Sequence, residues 1–188
     1  LVVFIVIALL TPWIAPYSQA ETVGATWAPA SSASWMGTDQ IGRDLMSRII
    51  YGARMTIGIA LATTILSFLI GTTLGLLAST GGNVIDQILS RIVDVMLSIP
   101  LLVFALIILS MFGSSIPTLI ITIAVLDSTR VFRLARAVSM NVAVLEYVEA
   151  AKLRGEGLWW VMTKEVLPNV LPPMISEFGL RFCFNFLF

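Results

Sequence analysis

Residues 55–79 read MTIGIALATTILSFLIGTTLGLLAS and contain no charged side chain. A helix of about 20 apolar residues crosses the hydrocarbon core of a bilayer, so this stretch predicts a transmembrane helix. Small residues recur at every fourth position and share one face of that helix: Ser67, Gly71, Gly75 and Ser79. This spacing lets a second helix approach closely, which predicts a helix–helix packing face.

The composition of the whole chain also indicates a membrane protein. Of its 188 residues, 58% are hydrophobic and 12% are charged, whereas a typical soluble domain has about 25% charged residues. This small number of charged side chains cannot cover a water-facing surface of this size. We therefore expect lipid to solvate much of the chain. The formal net charge is zero, which favours no nucleic-acid partner. We therefore expect contact with a lipid bilayer and none with nucleic acid.

Side chains that carry enzyme and metal chemistry are scarce. The chain has no His, the commonest general base and metal ligand, and its one cysteine, Cys183, cannot form an internal disulfide. Residues 37–42 have the glycine spacing of a phosphate-binding loop, but Arg43 and Asp44 follow where Lys and Ser or Thr are needed. The sequence predicts no catalytic residue, no metal site and no cofactor in this chain.

The uncharged stretch 95–126 is too long for a single span. At about 1.5 Å per residue it would make a helix of about 48 Å, against a bilayer core of about 30 Å. Gly-Ser-Ser-Ile-Pro at 113–117 supplies a break, with a Ser cap and a Pro in the first turn of the next helix. This predicts two spans, 91–112 with a kink at Pro100 and 116–136.

Apolar stretches also lie at both ends of the chain. Residues 1–15 lead into Pro and aromatic residues, which are typical of the outer end of a membrane helix. We expect them to be the tail of a first, truncated span, and a last span begins near Asn169. The sequence thus predicts an all-α, polytopic membrane helix bundle with about five spans, its transmembrane domain covering residues 55–188.

Basic residues are unevenly distributed between the two sides of the predicted bundle. Residues 80–91 and 130–165 lie on one side, because two spans separate them, and carry more Lys and Arg than residues 16–54. Cytoplasmic loops are enriched in these residues. We therefore expect a cytoplasmic loop over 137–168 and an extracytoplasmic segment over 16–54.

The end of the extracytoplasmic segment has an amphipathic pattern. Residues 39–54 are rich in charge, yet Ile41, Leu45 and Ile49 recur at every fourth position. The pattern predicts a short amphipathic helix that lies on a membrane surface.

The cytoplasmic loop contains the sequence LEYVEAAKLRGEGLWWVMTKEVLPNVLPP at 145–173. Residues 145–153 favour a helix, and Gly155 is placed to end it in a left-handed cap. A second short helix is predicted over 158–166, and Pro168 is expected to end it.

The surface of this loop favours a binding partner. Ala150 and Ala151 leave a shallow surface that a partner's groove could enclose, and large apolar anchors follow: Trp159, Trp160 and Met162. The alternative is a helical loop that lies against the bilayer with its Trp pair in the interface.

These residues resemble a motif of a known family, the permease subunits of binding-protein-dependent ABC importers. That family has Glu-Ala-Ala, three residues, Gly, nine residues, Ile, one residue, and Leu-Pro. The matching residues here are Glu149, Ala150, Ala151, Gly155, Leu167 and Pro168. Glu165 stands at the Ile position, which is a departure at one position without a change of spacing.

A second set of motifs precedes the first long span. Four short runs resemble the dipeptide, oligopeptide and nickel branch of that family: Gly-Thr-Asp at 37–39, Gly-Arg-Asp at 42–44, Ser-Arg at 47–48 and Gly-Ala-Arg at 52–54. Arg91, Asp94 and Pro100 fit the third span of the same branch. The resemblance covers nearly the whole chain, in the right order.

The resemblance implies a type I ABC importer permease fold, usually with six spans, in a bacterial inner membrane. It implies partners: two ATP-binding subunits, a second homologous permease and an extracytoplasmic solute-binding protein. ATP and Mg would belong to the ATP-binding subunits, so this chain would not be an enzyme. The motif residues would form a coupling helix that sits in a cleft of an ATP-binding subunit. The cargo would be a di- or oligopeptide or a related small solute.

Two other function classes are the alternatives. An ATP-independent secondary transporter or channel subunit would need an ion-coupling site among broken helices in internal repeats, and the sequence has no evident repeat. A membrane enzyme would need convergent Ser, His, Cys or carboxylate side chains in a cavity.

Four charged residues lie within or near the predicted spans: Asp94, Asp127, Glu177 and Arg181. A charge at the bilayer centre costs at least about 2.5 kcal/mol, so it usually faces a partner or a water path. Glu177 and Arg181 are four apart and are predicted to pair, as are Asp127 and Arg130, three apart. These charges line a translocation path or form structural ion pairs.

Overall fold

The computed structural model describes residues 10–187. Residues 1–9, which make up most of the predicted first span, lie outside the described residues, and residues 10–14 are helical. The described part contains isolated β-bridges, Thr22 with Arg43 and Thr38 with Asp44, and no strand. The prediction of an all-α fold is confirmed.

Helices account for most of the chain after residue 44. In chain order they are α1 (Leu45–Thr80), α2 (Asn83–Ser98), α3 (Leu101–Phe112), α4 (Ile116–Ala143), α5 (Glu146–Leu153), α6 (Leu158–Trp160), a π-helical turn (Val161–Val166) and α7 (Leu167–Leu187). The last three follow one another without a gap. The chain divides into two compact units, residues 1–59 and 60–188, which are described separately.

In the first unit, a carboxylate organises the loop before α1. Oδ1 of Asp39 accepts hydrogen bonds from the backbone N–H groups of Ile41 (2.8 Å) and Arg43 (3.0 Å). Oδ2 accepts from Nε of Arg43 (2.9 Å) and Nη1 of Arg48 (2.5 Å). The charged motif at 37–48 therefore folds back on itself.

A second carboxylate begins α1. Oδ2 of Asp44 accepts hydrogen bonds from the backbone N–H of Ser47 (2.8 Å) and from its Oγ (2.7 Å), as an N-cap residue does. Oδ1 accepts from Oγ of Ser34 (2.6 Å). Since Asp44 both caps the helix and holds the loop, the start of α1 is fixed at Leu45.

The prediction of a separate amphipathic helix over 39–54 is wrong. Residues 39–44 are turn and bridge, and α1 continues through residue 54 into the predicted span without a break. The sequence reading failed because Asp39 and Asp44 satisfy backbone donors locally instead of joining a helix. At about 1.5 Å per residue, α1 is about 54 Å long and exceeds the thickness of a bilayer core.

Among the described residues, α1 alone is both long and apolar enough to cross a membrane, and α2 with α3 would be a second crossing if a bent pair counts as one span. These two helices meet at an angle of 88°. The predicted kink at Pro100 is thus a helix end, because proline disfavours helical geometry at Ile99, which is extended (φ −94°, ψ 130°). The count of five spans stays a prediction.

In the second unit, α1 and α4 come into close backbone contact. A Cβ atom added to Gly71 would lie 2.6 Å from Cβ of Val131, and one added to Gly75 would lie 2.6 Å from Cβ of Ala135. Both contacts advance by four residues in the same direction, so the two helices run parallel. The predicted packing face of small residues is confirmed.

The core of the second unit joins the membrane-type helices to the loop between them. Its buried members come from α1, α4, α5, the π-helical turn and α7: Leu76, Val131, Ala135, Val148, Ala151, Val161, Met162, Val166, Val170 and Met174. The loop after α4 is therefore part of the core rather than an appendage.

Replacing Gly71 by alanine should weaken the contact between α1 and α4. The new Cβ would lie 2.7 Å from the backbone oxygen of Ser128 as well as against Val131, and overpacking of this kind costs about 1–3 kcal/mol. We expect Gly71→Ala to lower the melting temperature of the detergent-solubilised protein. Gly58→Ala is the control in the same helix, because nothing lies within 4 Å of its added Cβ. Equal melting of the two variants would contradict the close contact.

The two carboxylates of the loop have lowered pKa values. The backbone N–H of Arg43, with further donors, outweighs burial and holds the pKa of Asp39 below its usual value. Burial acts to raise the pKa of Asp44, but hydrogen bonds from Ser34 and Ser47 outweigh it and lower the pKa. A carboxylate with a depressed folded-state pKa stabilises the fold above its unfolded pKa of about 3.9, and this stabilisation is lost as the pH falls further.

Asp39→Asn should loosen this loop at neutral pH, because the neutral amide cannot replace an ionised acceptor for two arginines. We expect faster amide hydrogen exchange over 37–48 at pH 7 than in the unsubstituted protein, whose own protection should fall below about pH 4. Glu21→Gln is the control, since Glu21 is exposed and accepts a hydrogen bond from the N–H of Ser18 (3.2 Å). Unchanged exchange in Asp39→Asn would refute the organising role.

Candidate functional site

The helix α5 has a regular beginning and end. Glu146 and Glu149 lie in its first turn, where carboxylates interact favourably with the helix dipole. At its other end, the N–H of Gly155 donates to the carbonyl of Lys152 (3.0 Å) and the N–H of Glu156 donates to that of Ala151 (3.3 Å). With Gly155 at φ +84°, this is a Schellman cap. The predicted left-handed cap is confirmed.

The two alanines of the motif differ in exposure, because successive residues of a helix point in directions about 100° apart. Ala151, with Val148, is fully buried in the core, whereas Ala150 and Glu149 are exposed. The expectation that both alanines form a shallow partner surface is therefore wrong for Ala151. The pattern Glu-Ala-Ala does not reveal the phase of the helix, which is set by the apolar residues of α4 and the π-helical turn that share a core with Val148 and Ala151.

Large side chains in and after α5 differ in exposure. Leu153 is 83% exposed and Trp159 is 66% exposed, so both are available as apolar anchors. Trp160 is half-buried, and Met162 is only 1% exposed. The expectation of an anchor at Met162 is wrong, because this side chain fills the core of the same unit.

Pro168 does not end a helix, contrary to the prediction. The chain is helical from Leu158 to Leu187, with the π-helical turn placed just before Pro168. In an α-helix the proline ring would clash with the carbonyl of Lys164, and this residue lies inside the wider π turn. Leu167 is half-buried and Pro168 is exposed.

Side-chain contacts join α5 to the following helical segment. Nδ2 of Asn169 donates to the hydroxyl of Tyr147 (3.0 Å) and to the carbonyl of Glu165 (2.8 Å). Nη2 of Arg154 lies 3.8 Å from Oε1 of Glu165. Glu165, which departs from the family motif, thus has a charged partner beside the Schellman cap. Sequence reasoning missed these contacts because the partners lie on different helices.

An ionic cluster links α1, α4 and α7, in which Asp127 is buried and Glu177 and Arg181 are half-buried. Nε of Arg181 donates to Oε1 of Glu177 (2.7 Å), and its Nη1 donates to Oδ1 of Asp127 (3.3 Å). Oγ of Ser67 donates to Oδ2 of Asp127 (3.4 Å). The predicted pair of Glu177 and Arg181 is confirmed. The predicted pair of Asp127 and Arg130 is wrong, because Asp127 faces α7 whereas Arg130 is exposed.

A hydrogen bond between α1 and α7 extends this cluster. Nδ2 of Asn185 donates to Oγ1 of Thr64 (3.0 Å), and Thr64 is fully buried. Sequence reasoning missed both residues. The available signal was that Thr64 and Ser67 lie about one turn apart in an otherwise apolar helix.

Asp94 lies apart from the other three predicted path charges. Its Oδ1 accepts from Nη2 of Arg133 (2.6 Å), and both side chains are more than half exposed. Nearby, Oδ2 of Asp86 accepts from Nη2 of Arg136 (2.6 Å). The four predicted path charges are therefore divided. Asp127, Glu177 and Arg181 belong to the cluster between α4 and α7, and Asp94 belongs to a pair between α2 and α4. The Asp86 pair could not be assigned before the helix packing was known.

Two of the cavities in the second unit differ in their lining. The larger is an apolar groove of about 450 Å³ between α1 and the segment 158–178, and its wall includes Phe68 and Phe178, whose rings meet edge to face at 5.1 Å. The smaller, about 190 Å³, lies at the break between α2 and α3. Over residues 10–187, no group of His, Cys, Asp and Glu side chains is arranged to hold a metal ion.

Comparisons with known proteins agree with these features. Residues 71–188 match the family described as binding-protein-dependent transport system inner membrane component. The di/tripeptide transport system permease protein DppC of Pseudomonas aeruginosa is 36% identical over 182 residues, which are 93% of this chain and 60% of that protein. The probable D,D-dipeptide transport system permease protein DdpC of Escherichia coli is 35% identical, over 96% of this chain and 61% of that protein.

The fold also occurs in a solved structure. An amino acid ABC transporter crystallised with histidines matches with a TM-score of 0.51 and 22% identity, over 76% of this chain and 74% of that one. This likeness supports the permease fold alone. The present chain spans about 60% of the length of the curated relatives it matches.

Arg181→Gln should destabilise the protein much more than Arg133→Gln. Loss of Arg181 leaves Asp127 and Glu177 without their shared cation, and breaking a buried pair costs about 3–5 kcal/mol. The pair of Arg133 with Asp94 is exposed and should contribute about 1 kcal/mol or less. Thermal melting in detergent measures both effects. Equal losses would contradict a buried cluster.

Proposed function

The chain belongs to the family of binding-protein-dependent transport system inner membrane components, and from this we propose that it is a permease subunit of a peptide ABC importer. In this proposal it forms part of the translocation path for di- or oligopeptides or a related small solute. Its location is a bacterial inner membrane, where it spans the bilayer several times. ATP hydrolysis resides in other subunits.

One observation carries the coupling role: α5 is buried along one face and open along the other. Val148 and Ala151 are fully buried, whereas Glu149, Ala150 and Leu153 are exposed. A helix that only covered the core would present a polar outer face. Leu153 at the end of α5 and Trp159 just after it instead leave large apolar side chains exposed, which supports a contact surface.

We infer that this outer face sits in a cleft of an ATP-binding subunit. Glu149 and Ala150 would lie against that subunit, and Gly155 would end the inserted helix. The assignment of Ala151 changes: it holds α5 to the rest of the permease, in contact with the core, rather than touching the partner. Leu167 and Pro168 belong to the helical segment that receives the movement.

The buried face provides the route by which movement of α5 would reach the membrane helices. Val148 and Ala151 share one core with Val161, Met162 and Val166 of the π-helical turn, and with residues of α4. Close-packed cores transmit displacement instead of absorbing it. Closure of two ATP-binding subunits would thereby shift α4 and α7 between inward-open and outward-open arrangements.

The partners follow from this proposal. They are two ATP-binding subunits with ATP and Mg, a second homologous permease, and an extracytoplasmic solute-binding protein that selects the cargo. The peptide class is supported by the printed names of the relatives, which are di/tripeptide and dipeptide permeases. Asp127, Glu177 and Arg181 are assigned a structural role beside the path, since Arg181 forms ion pairs with both carboxylates.

Gly155→Val should abolish coupling while the protein remains in the membrane. At φ +84° a β-branched residue is strained, although nothing lies within 4 Å of an added Cβ. The strain is therefore conformational rather than steric. Gly155→Asn is the matched control, because Asn tolerates the left-handed region.

We expect peptide uptake and peptide-stimulated ATP hydrolysis by the assembled importer to be lost in Gly155→Val and retained in Gly155→Asn. A cysteine at Ala150 should form a cross-link to an ATP-binding subunit, whereas one at the buried Ala151 should not. Normal uptake by Gly155→Val, or a cross-link from Ala151 alone, would contradict the coupling role.

A further inference from the structure

The charged residues of α4 are paired with one exception. Three of the four form ion pairs with other helices: Asp127 with Arg181, Arg133 with Asp94, and Arg136 with Asp86. Arg130 is the fourth, and over residues 10–187 its guanidinium makes neither a hydrogen bond nor an ion pair. An unpaired cation on a helix that otherwise neutralises every charge requires an explanation.

Arg130 is exposed on the surface of this chain, and it lies inside the predicted span 116–136 rather than in a loop. It lies fourteen residues after Ile116, the first residue of α4, which is about 21 Å along the helix. This distance places Arg130 in the half of that predicted span that leads into the cytoplasmic loop 137–168. Charged residues at such a depth face a partner or a water-filled cavity.

Arg130 lines the smaller cavity of the second unit. The cavity has a volume of about 190 Å³, and its wall is completed by residues of the break between α2 and α3, including Ile99, Pro100 and Leu101. The break opens this space because the two helices diverge at 88°. In contrast to the apolar groove near Phe68, this cavity therefore has a cation in its wall.

We propose that Arg130 binds a carboxylate of the transported solute in the cavity at the α2–α3 break. A guanidinium presents paired N–H donors that match a carboxylate, and it remains ionised at every physiological pH. The volume is smaller than the 300–1,000 Å³ of a typical ligand pocket, so the cavity takes one end of a solute. The C-terminal carboxylate of a short peptide is such a group, and this inference rests on the proposed peptide import.

The competing explanation is an acidic side chain of the second permease subunit. Such a contact would neutralise Arg130 without any solute. It predicts loss of the partner permease when the charge is removed, whereas the carboxylate site predicts a change in solute preference within an intact complex. The experiment below separates these two results.

The test uses the complete importer, with both permeases, the ATP-binding subunits and the binding protein, in proteoliposomes. Uptake rates are measured for trialanine and for its C-terminal amide, each supplied on saturated binding protein. We expect Arg130→Gln to reduce the uptake of the free acid about tenfold or more, as for loss of a hydrogen bond to a charged group. The amide should be taken up about equally by both proteins, and Arg130→Lys should retain most of the free-acid uptake.

Arg91→Gln is the matched control. Arg91, on α2, is exposed, does not line the cavity, and within the described part of the chain has no ion-pair partner either. Its substitution removes the same charge and should leave the ratio of acid to amide uptake unchanged. If Arg91→Gln changes the ratio of acid to amide uptake as much as Arg130→Gln does, the change reflects the loss of any positive charge. This outcome would overturn the proposed site.

The remaining outcomes are distinct. Equal loss of acid and amide uptake in Arg130→Gln, or no loss of either, would overturn carboxylate binding. Dissociation of the second permease during purification of Arg130→Gln would assign the residue to the subunit interface and also overturn it. If the unsubstituted importer takes up neither peptide, the proposed peptide import itself fails, and this inference fails with it.

Discussion

The close contact between α1 and α4 is the constraint on which the second unit depends. Gly71 and Gly75 remove the side chains that would hold the two backbones apart, and in lipid such packing replaces the hydrophobic effect as the force between helices. It brings Ser67 against Asp127 and Leu76 into the core. The core, the ionic cluster and the contacts that support α5 all include residues of α4. The position of α4 therefore determines where these three features form.

The distribution of charge on α4 follows from the same constraint. A helix whose one face is packed against an apolar neighbour presents its charges on its other faces, where they can pair with side chains of other helices. Asp127 forms an ion pair with Arg181, and Arg133 forms one with Asp94. These pairs set the positions of α7 and α2 around α4. Apolar side chains of similar volume would pack without specifying which helix faces which.

Features decided by local chemistry were predictable from the sequence, and features decided by packing were not. Gly155 could be assigned because a left-handed cap depends on the few residues around it. The packing face of α1 could likewise be predicted, because Gly71 and Gly75 are four residues apart and so lie on the same side of the helix. The burial of Ala151 could not be assigned, because the helix phase depends on α4 and the π-helical turn. The continuation of the helix through Pro168 could not be predicted either, because no short sequence motif indicates a π-helical turn.

The placement of the π-helical turn suits a segment that transmits movement. The helix α5 packs against the π-helical turn in the shared core and is hydrogen-bonded to α7 through Tyr147 and Asn169. Arg181 lies about 21 Å further along α7 than Leu167 and pairs with Asp127 of α4. In a regular α-helix the ring of Pro168 would clash with the carbonyl of Lys164, which lies in the π-helical turn, and a true break would uncouple the two ends of the segment. The wider turn keeps the helix continuous. A displacement at α5 can therefore reach the ionic cluster through a single covalent element and its core contacts.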